Sequence, residues 1–477
     1  GGLSEAANDN MKDTELIYAQ NIVPGDGFCI ARADGLEIAY PQIAGGDPVV
    51  LMIELQASGG TQILAFTEAS STTMDMFVYD SVNDEWDTVS SGITTIIDWF
   101  IYAGSLYWLD GTDYKVYNGS TVASVSNAYS ASTAFWNKIK AARAVEQRGQ
   151  RWFFATTSNE VIFTDIGYVN KFTETNIINI TASGSDSITA LHEFNDGLLI
   201  FQQRAVWFLS GWDLAGGTDI ALAKLNVTAG TKWPKTVCTV DNGVIYLGSG
   251  GLYKLKVTYA TLTVAAENIS QQKIAKRLVD DGDITKAYGA VWNGVYHLSV
   301  ERDSEVKEYR YYQAQKAFFG EYTHGAICYA TGFLGDNTLY IGCANGYILK
   351  FVSDKYHYID LTTGGYTGIP VLVETKGFDV VGSMMQDAKL KKAFIAIKQY
   401  AQESSSLTIQ IKADYADVAW NWEMDFDESL VYSEGEWGSE YWGWKEVVTK
   451  EISVNRKAKR LQFIIHDDTM DNPLFIY

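Results

Sequence analysis

The stretch Gly243-Val-Ile-Tyr-Leu-Gly-Ser-Gly-Gly-Leu-Tyr-Lys-Leu255 reads as a strand, a tight glycine turn and a second strand. Its opening recurs along the chain. Copies are Gly60-Thr-Gln-Ile-Leu-Ala-Phe66, Gly104-Ser-Leu-Tyr-Trp-Leu109, Gly149-Gln-Arg-Trp-Phe-Phe154, Gly197-Leu-Leu-Ile-Phe201 and Gly294-Val-Tyr-His-Leu298, with a seventh at Asn337-Thr-Leu-Tyr-Ile341. Successive copies lie 44, 45, 48, 46, 51 and 43 residues apart. The second strand recurs too, as Tyr114-Lys-Val-Tyr117, Ala205-Val-Trp-Phe-Leu209 and Gly346-Tyr-Ile-Leu-Lys-Phe351. Such a unit has room for four short strands, which is one blade of a β-propeller. One blade cannot bury both faces of its sheet, whereas blades packed in a ring can.

The fold class is therefore all-β: a propeller of about seven blades followed by an antiparallel, sandwich-like β domain. The competing reading is a β-sandwich whose turns fall at similar intervals. Three segments are expected: N-terminal strands over 1–58, the propeller over 59–365 and the second domain over 366–477. Strands such as Phe28-Cys-Ile-Ala-Arg32 are candidates to complete the last blade. After about residue 365 the strands lengthen, as in Pro370-Val-Leu-Val-Glu-Thr375 and Arg460-Leu-Gln-Phe-Ile-Ile465, and Leu407-Thr-Ile-Gln-Ile411 alternates apolar with polar residues. Helix is expected only at Ala134–Gln147 and Gln271–Val279. The Gly-His and Trp-Asp marks of WD repeats and the Asp boxes of sialidases are absent.

Composition agrees. The chain has 477 residues, 14 Trp, 29 Tyr and 21 Phe, with 42 Gly and only 6 Pro. Its formal net charge is −21. Residues 1–130 hold 18 acids against Lys12, Arg32 and Lys115, which disfavours tight nucleic-acid binding there. The bland reading of this acidity is solubility; the functional one is a wall past which nucleic acid slides. Acidic surface or channel candidates are Asp80, Asp84, Glu85 and Asp87. The four cysteines, Cys29, Cys238, Cys328 and Cys343, form no C-x-x-C pair, and buried free thiols are expected.

Little catalytic chemistry is legible. The five histidines have no metal-ligand spacing, and neither a phosphate-binding G-x-x-x-x-G-K-[ST] loop nor a G-x-S-x-G elbow occurs. Acid clusters at Asp80–Asp87, Asp280–Asp283 and Asp467–Asp468 depart from the EF-hand pattern and read as solvated turns. No catalytic residue, metal or cofactor is expected, and the chain is not expected to be an enzyme. The loop Glu434-Gly-Glu-Trp-Gly-Ser-Glu-Tyr-Trp-Gly-Trp444 stands out. Its Trp437, Tyr441, Trp442 and Trp444 fit an anchor in a neighbouring subunit, a sugar-stacking platform, or a flap over the domain's own core. The basic residues Lys445, Arg456, Lys457, Lys459 and Arg460 follow, and could meet an acidic face of another copy.

Taken in order, several segments resemble bacteriophage tail proteins of the nozzle, or head-to-tail stabilisation, family. They are Gly1-Gly-Leu3, Asp13-Thr-Glu-Leu16 through Asn21, Gly27-Phe-Cys-Ile-Ala-Arg32, Leu191–Gly211, Gly230-Thr-Lys-Trp-Pro234 through Tyr253, Gly335–Phe351 and Val373 through Ile411. The resemblance implies a structural virion protein of the tail, assembled in the bacterial host cytoplasm. It implies a homohexameric ring that joins the portal and adaptor side to the distal tail, retains the genome and gives DNA an exit channel at ejection, without sequence-specific binding or a membrane anchor. The alternative is a carbohydrate-binding propeller, lectin or glycosidase.

Overall fold

The computed structural model describes residues 2–6, 11–12, 15–25, 29–129, 131–180, 186–195, 197–211, 221–227, 229–241, 243–258, 263–279, 283–324, 326–352, 357–359, 366–379, 388–399, 405–414, 420–426, 448–467 and 474–476. The fold is all-β: a six-blade propeller arrangement with a further antiparallel sheet region. Blade 1 comprises Val49–Ala57, Gly60–Ser70, Thr73–Asp80 and Glu85–Thr94. Blade 2 runs over Asp98–Tyr102, Ser105–Leu109, Tyr114–Tyr117 and Val122–Ser124. Blade 3 is Ala144–Arg148, Arg151–Ala155, Glu160–Phe163 and Ile177–Asn179. Blade 4 is Ile188–Phe194, Gly197–Gln202, Val206–Ser210 and Ala221–Lys224. Blade 5 is Cys238–Val240, Gly243–Gly248, Gly251–Thr258 and Thr263–Asn268. Each repeated sequence motif is the second strand of a four-strand unit, and in blades 3, 4 and 5 every residue of that strand is buried, which is why it is mostly apolar.

The ring is closed by chain ends. Blade 6 joins Cys328–Thr331, Leu339–Gly342 and Ile348–Val352 to the N-terminal strand Gly35–Tyr40. The register puts Lys350 opposite Glu37, a favourable cross-strand pair. An N-terminal strand does complete the last blade, but it is not Phe28–Arg32. Ile30–Arg32 pairs instead with Ile22–Pro24 and Leu474–Ile476, because Arg32 is buried against Asp467.

The repeat copy at Gly294 folds differently from the rest. Lys286–Trp292, Val295–Arg302, Glu305–Tyr312 and Ala317–Tyr322 form the same four-strand meander, and the first of these packs between the inner strands of blades 5 and 6. Its outer strand, however, continues into an eleven-stranded sheet. There Ala317–Tyr322 meets Glu15–Gln20 in parallel, which pairs with Val371–Thr375, then Arg460–Asp467, Ser405–Ala413 and Trp420–Phe426. A separate five-stranded sheet holds Ile22–Pro24, Ile30–Arg32, Leu474–Ile476, Ala388–Gln399 and Val448–Ala458. Residue 58/59 thus falls in the turn between two strands of blade 1, and 365/366 at the edge of the hairpin His357–Ile359/Tyr366–Gly368.

Adjacent blades share cores. Phe66 and Trp108 join blades 1 and 2, Tyr114 and Phe154 join 2 and 3, Phe153 and Leu198 join 3 and 4, and Phe201 and Tyr246 join 4 and 5. Each aromatic buries on the order of 150–250 Å², so the ring is held chiefly by these side chains. The helix expected at 134–147 spans only Thr133–Lys140. Ser132 caps it by accepting from the Phe135 amide, and it stops at Ala141. Ala144–Arg148 becomes the inner strand of blade 3, since pairing with Arg151–Ala155 outweighs its helical composition. The second helix is Ala275–Val279.

Candidate functional site at the propeller axis

The first residues of every inner strand converge on one axial cavity of about 300 Å³. Much of its wall is apolar: Val50 and Leu51 from blade 1, Ile96 and Ile97 leading into blade 2, Leu191 from blade 4 and Val237 entering blade 5. Four charged side chains interrupt it, Asp98, Arg143, Glu146 and Lys235. His192, Tyr288 and Cys328 add further polar groups to the lining.

Local structure fixes each group. Asp98 opens the inner strand of blade 2. Its Oδ1 accepts from the Trp99 amide at 2.9 Å, and its Oδ2 accepts from the Val145 amide of blade 3 at 2.8 Å. Burial outweighs those bonds and raises its pKa to about 6. Glu146, two positions into the blade 3 strand, is half-buried and forms no ion pair among the described residues. Burial, then repulsion from Asp98 and Glu193, raises its pKa to about 8.

Lys235 arrives by a rigid connector. A Cβ on Gly230 would sit 1.8 Å from the Gln202 carbonyl oxygen, so only glycine permits that approach. Thr231 is fully buried; its Oγ1 donates to the Leu247 carbonyl at 2.7 Å and accepts from the Trp233 amide at 2.9 Å. Pro234 begins a single 3-10 turn, Pro234–Thr236, closed by Thr236 Oγ1 donating to the Trp233 carbonyl at 2.7 Å. Lys235 thereby projects into the axis, with its Nζ 5.0 Å from the centre of the Tyr288 ring. Desolvation by the surrounding protein lowers its pKa.

Hydrogen bonds also brace the blades around this cavity. His192 Nε2 lies 2.8 Å from Thr239 Oγ1, between blades 4 and 5, and burial pulls its pKa down to about 4. Cys328 Sγ donates to the Val49 carbonyl across the ring closure at 3.2 Å, and burial pushes its thiol up to about 12. Tyr296 donates to the Thr236 carbonyl at 2.8 Å. Gly289 lets the meander strand approach, since a Cβ there would meet Thr236 Cα at 3.1 Å.

The residues singled out from sequence lie elsewhere. Asp84 and Glu85 sit in and beside the turn joining the two outer strands of blade 1, and Asp80 and Asp87 flank them. Asp84, Glu85 and Asp87 are exposed, on the outer side of the blade rather than at its axis. Trp437, Tyr441, Trp442, Trp444 and Lys445 lie outside the described residues. So do Asp280, Asp281 and Asp468. Arg456 and Lys457 lie on the strand Val448–Ala458. Lys459 and Arg460 form a hairpin turn whose amides both donate to Asp414 Oδ1, at 2.8 and 2.9 Å. Cys29, Cys328 and Cys343 are buried free thiols, and Cys238 is a partly buried one. Among the described residues, no group of three or more His, Cys, Asp or Glu side chains is placed to hold a metal ion, and no helix is long and apolar enough to cross a membrane.

The axial site went unread in the sequence. Its polar members come from separate strands and connectors, Asp98, Arg143 and Glu146, His192, Lys235, Tyr288 and Cys328, at no common spacing. The one available signal was Gly230-Thr-Lys-Trp-Pro234, whose rigidity has the purpose of placing the next residue.

No family model and no curated protein matches the chain. Solved structures that resemble it include the extracellular domain of a one-component system from B. thetaiotaomicron, with a TM-score of 0.46 and 11% identity over 71% of this chain. The match covers 45% of that domain, so this chain spans under half its length. BamB from Moraxella catarrhalis gives a TM-score of 0.40 at 10% identity, over 70% of this chain and 98% of BamB. The computationally designed Ika8 protein gives 0.38 at 11% identity, over 73% of this chain and 99% of Ika8. Likenesses this distant say nothing of what the chain binds.

Proposed function

We propose that the chain is a structural subunit of a bacteriophage tail, one copy of a closed homomeric ring between the head side and the distal tail. The observation that carries this reading is the way the chain ends are woven. Strands from both termini leave the propeller and extend one of its meanders into an eleven-stranded sheet. The two regions are joined by main-chain hydrogen bonds rather than by a linker, so they cannot hinge freely. The buried pair between Arg32 and Asp467, residues 435 apart, ties the N-terminal strands to the C-terminal ones. A chain tied together in this way would suit a wall element, and the ordered sequence resemblance to tail nozzle proteins supports the same reading.

The axial cavity constrains the proposal. Duplex DNA, with a major groove about 12 Å wide, cannot thread a space of about 300 Å³. Any DNA path must therefore run between copies, through the lumen of the ring. A cyclic assembly needs a heterologous interface whose rotation closes. Exposed acids such as Asp84, Glu85 and Asp87 would keep such a lumen from adhering to DNA phosphates.

Native mass spectrometry followed by negative-stain imaging tests the reading. A species of several times 52.9 kDa with a central hole wider than a DNA duplex is expected. A chain that stays at 52.9 kDa at every concentration removes the self-assembling ring.

A further inference from the structure

The axial cavity holds opposite charges that do not meet. Asp98 and Glu146 enter from blades 2 and 3, and Lys235 enters from the connector into blade 5. Among the described residues Lys235 makes no ion pair and no hydrogen bond; its neighbour is the Tyr288 ring. Glu146 likewise has no cationic partner among them, and Arg143, on the same blade, forms no ion pair with it. The cavity is part-open: Lys235 and Arg143 are exposed to it, and Asp98 and Glu146 are partly buried. Opposite charges held apart in one space leave room for a ligand that touches both, and Val50, Leu51, Ile96, Ile97, Leu191 and Val237 give that space an apolar wall.

We propose that the axial cavity is a binding site for a small zwitterion with an apolar body, of the chemical class of a free aliphatic amino acid. Its ammonium meets Asp98 and Glu146, its carboxylate meets Lys235, and its hydrocarbon lies on the valine, leucine and isoleucine wall. A space of about 300 Å³ is at the lower limit of small-molecule sites, which suits a ligand of this size. Burial, with repulsion from Asp98 and Glu193, raises the carboxyl pKa of Glu146, and burial lowers the ammonium pKa of Lys235 although Asp98 and Glu68 pull it the other way, so each charge gains from a ligand group of opposite sign. The arrangement discriminates. A simple amine faces Lys235 unneutralised, and a simple carboxylate faces Asp98 and Glu146. The site is independent of whether the chain forms a ring, and monomeric protein suffices to test it.

The test is isothermal titration of the full chain with L-leucine, N-acetyl-L-leucine and isoamylamine, which carry both charges, only the carboxylate and only the ammonium. Leucine is expected to bind, with the other two at least about tenfold weaker, the loss of one charge-assisted contact. Lys235→Met and Glu146→Gln should each weaken leucine by about tenfold or more while leaving the thermal transition cooperative. No heat with leucine up to about 10 mM overturns the proposal, as does equal binding of either singly charged analogue.

Discussion

Replacing Arg32 by Met removes a guanidinium while keeping most of its hydrocarbon stem. Arg32 Nη2 lies 2.5 Å from Asp467 Oδ2, and the two side chains are 0% and 2% exposed. The substitution leaves Asp467 buried without this cation, for which the expected cost is about 3–5 kcal/mol. That cost falls on the weave of terminal strands, since Arg32 belongs to Ile30–Arg32 and Asp467 ends Arg460–Asp467. The blades should be spared, because they have their own shared cores. Native-state hydrogen exchange separates these regions. A local cost of about 3–5 kcal/mol raises the opening equilibrium by about a hundredfold to a few thousandfold. Amides of Arg460–Asp467 should lose that much protection, while those of Arg151–Ala155 in blade 3 should not change. The double variant Arg32→Met with Asp467→Leu removes both charges and should recover most of the protection. If single and double variants exchange alike, or if the single variant leaves Arg460–Asp467 within about threefold of wild type, the buried pair is not what holds the termini together.

Other consequences rest on the same structure. Gly230→Ala places a methyl against the Gln202 carbonyl and should cost about 3 kcal/mol or more, read as a lowered denaturation midpoint. Trp108→Ala empties the contact between blades 1 and 2 and should cost about 3–5 kcal/mol by the same measurement. Acid should loosen the buried cluster in which His297 Nδ1 lies 3.0 Å and Arg310 Nε 2.5 Å from Glu308 Oε1. Burial lowers the His297 pKa from 6.5, so the unfolded chain binds its proton more readily and stability falls as the pH drops below about 6.5. Glu308, held well below its usual 4.5 by His324, Arg310 and His297 against the opposing cost of burial, adds to the loss below about 4.5. A stability profile flat from pH 7 to 4.5 would refute the His297 effect, and one flat from pH 4.5 to 2 would refute that of Glu308. Glu146 acts in the opposite sense: its pKa rises from 4.5 to about 8 on folding, so its ionisation opposes folding as the pH climbs through that window. Glu146→Gln should therefore stabilise the protein at pH 8 and leave it unchanged at pH 4, as measured by urea denaturation at the two values.

The sequence by itself determined the repeating unit. Turn residues at intervals of 43–51, each followed by an apolar run, are local signals, and a blade is a local object of consecutive antiparallel strands. The all-β class and the blades follow from that pattern. What only the tertiary structure decided depends on residues far apart in the chain. The strand that closes the ring is Gly35–Tyr40 and not Phe28–Arg32, because Ile348–Val352 supplies its edge some 300 residues later. The Gly294 repeat keeps its inner strand between blades 5 and 6 while its outer strand extends into a larger sheet, because Glu15–Gln20 pairs with that outer strand. Arg32 reads as one of three basic residues in an acidic third until Asp467 is set against it. The axial group of Asp98, Glu146 and Lys235 had no motif to betray it, since its members share no spacing. Periodicity is set by the backbone and can be read locally, whereas a site assembled by ring closure exists only once distant strands have found their register.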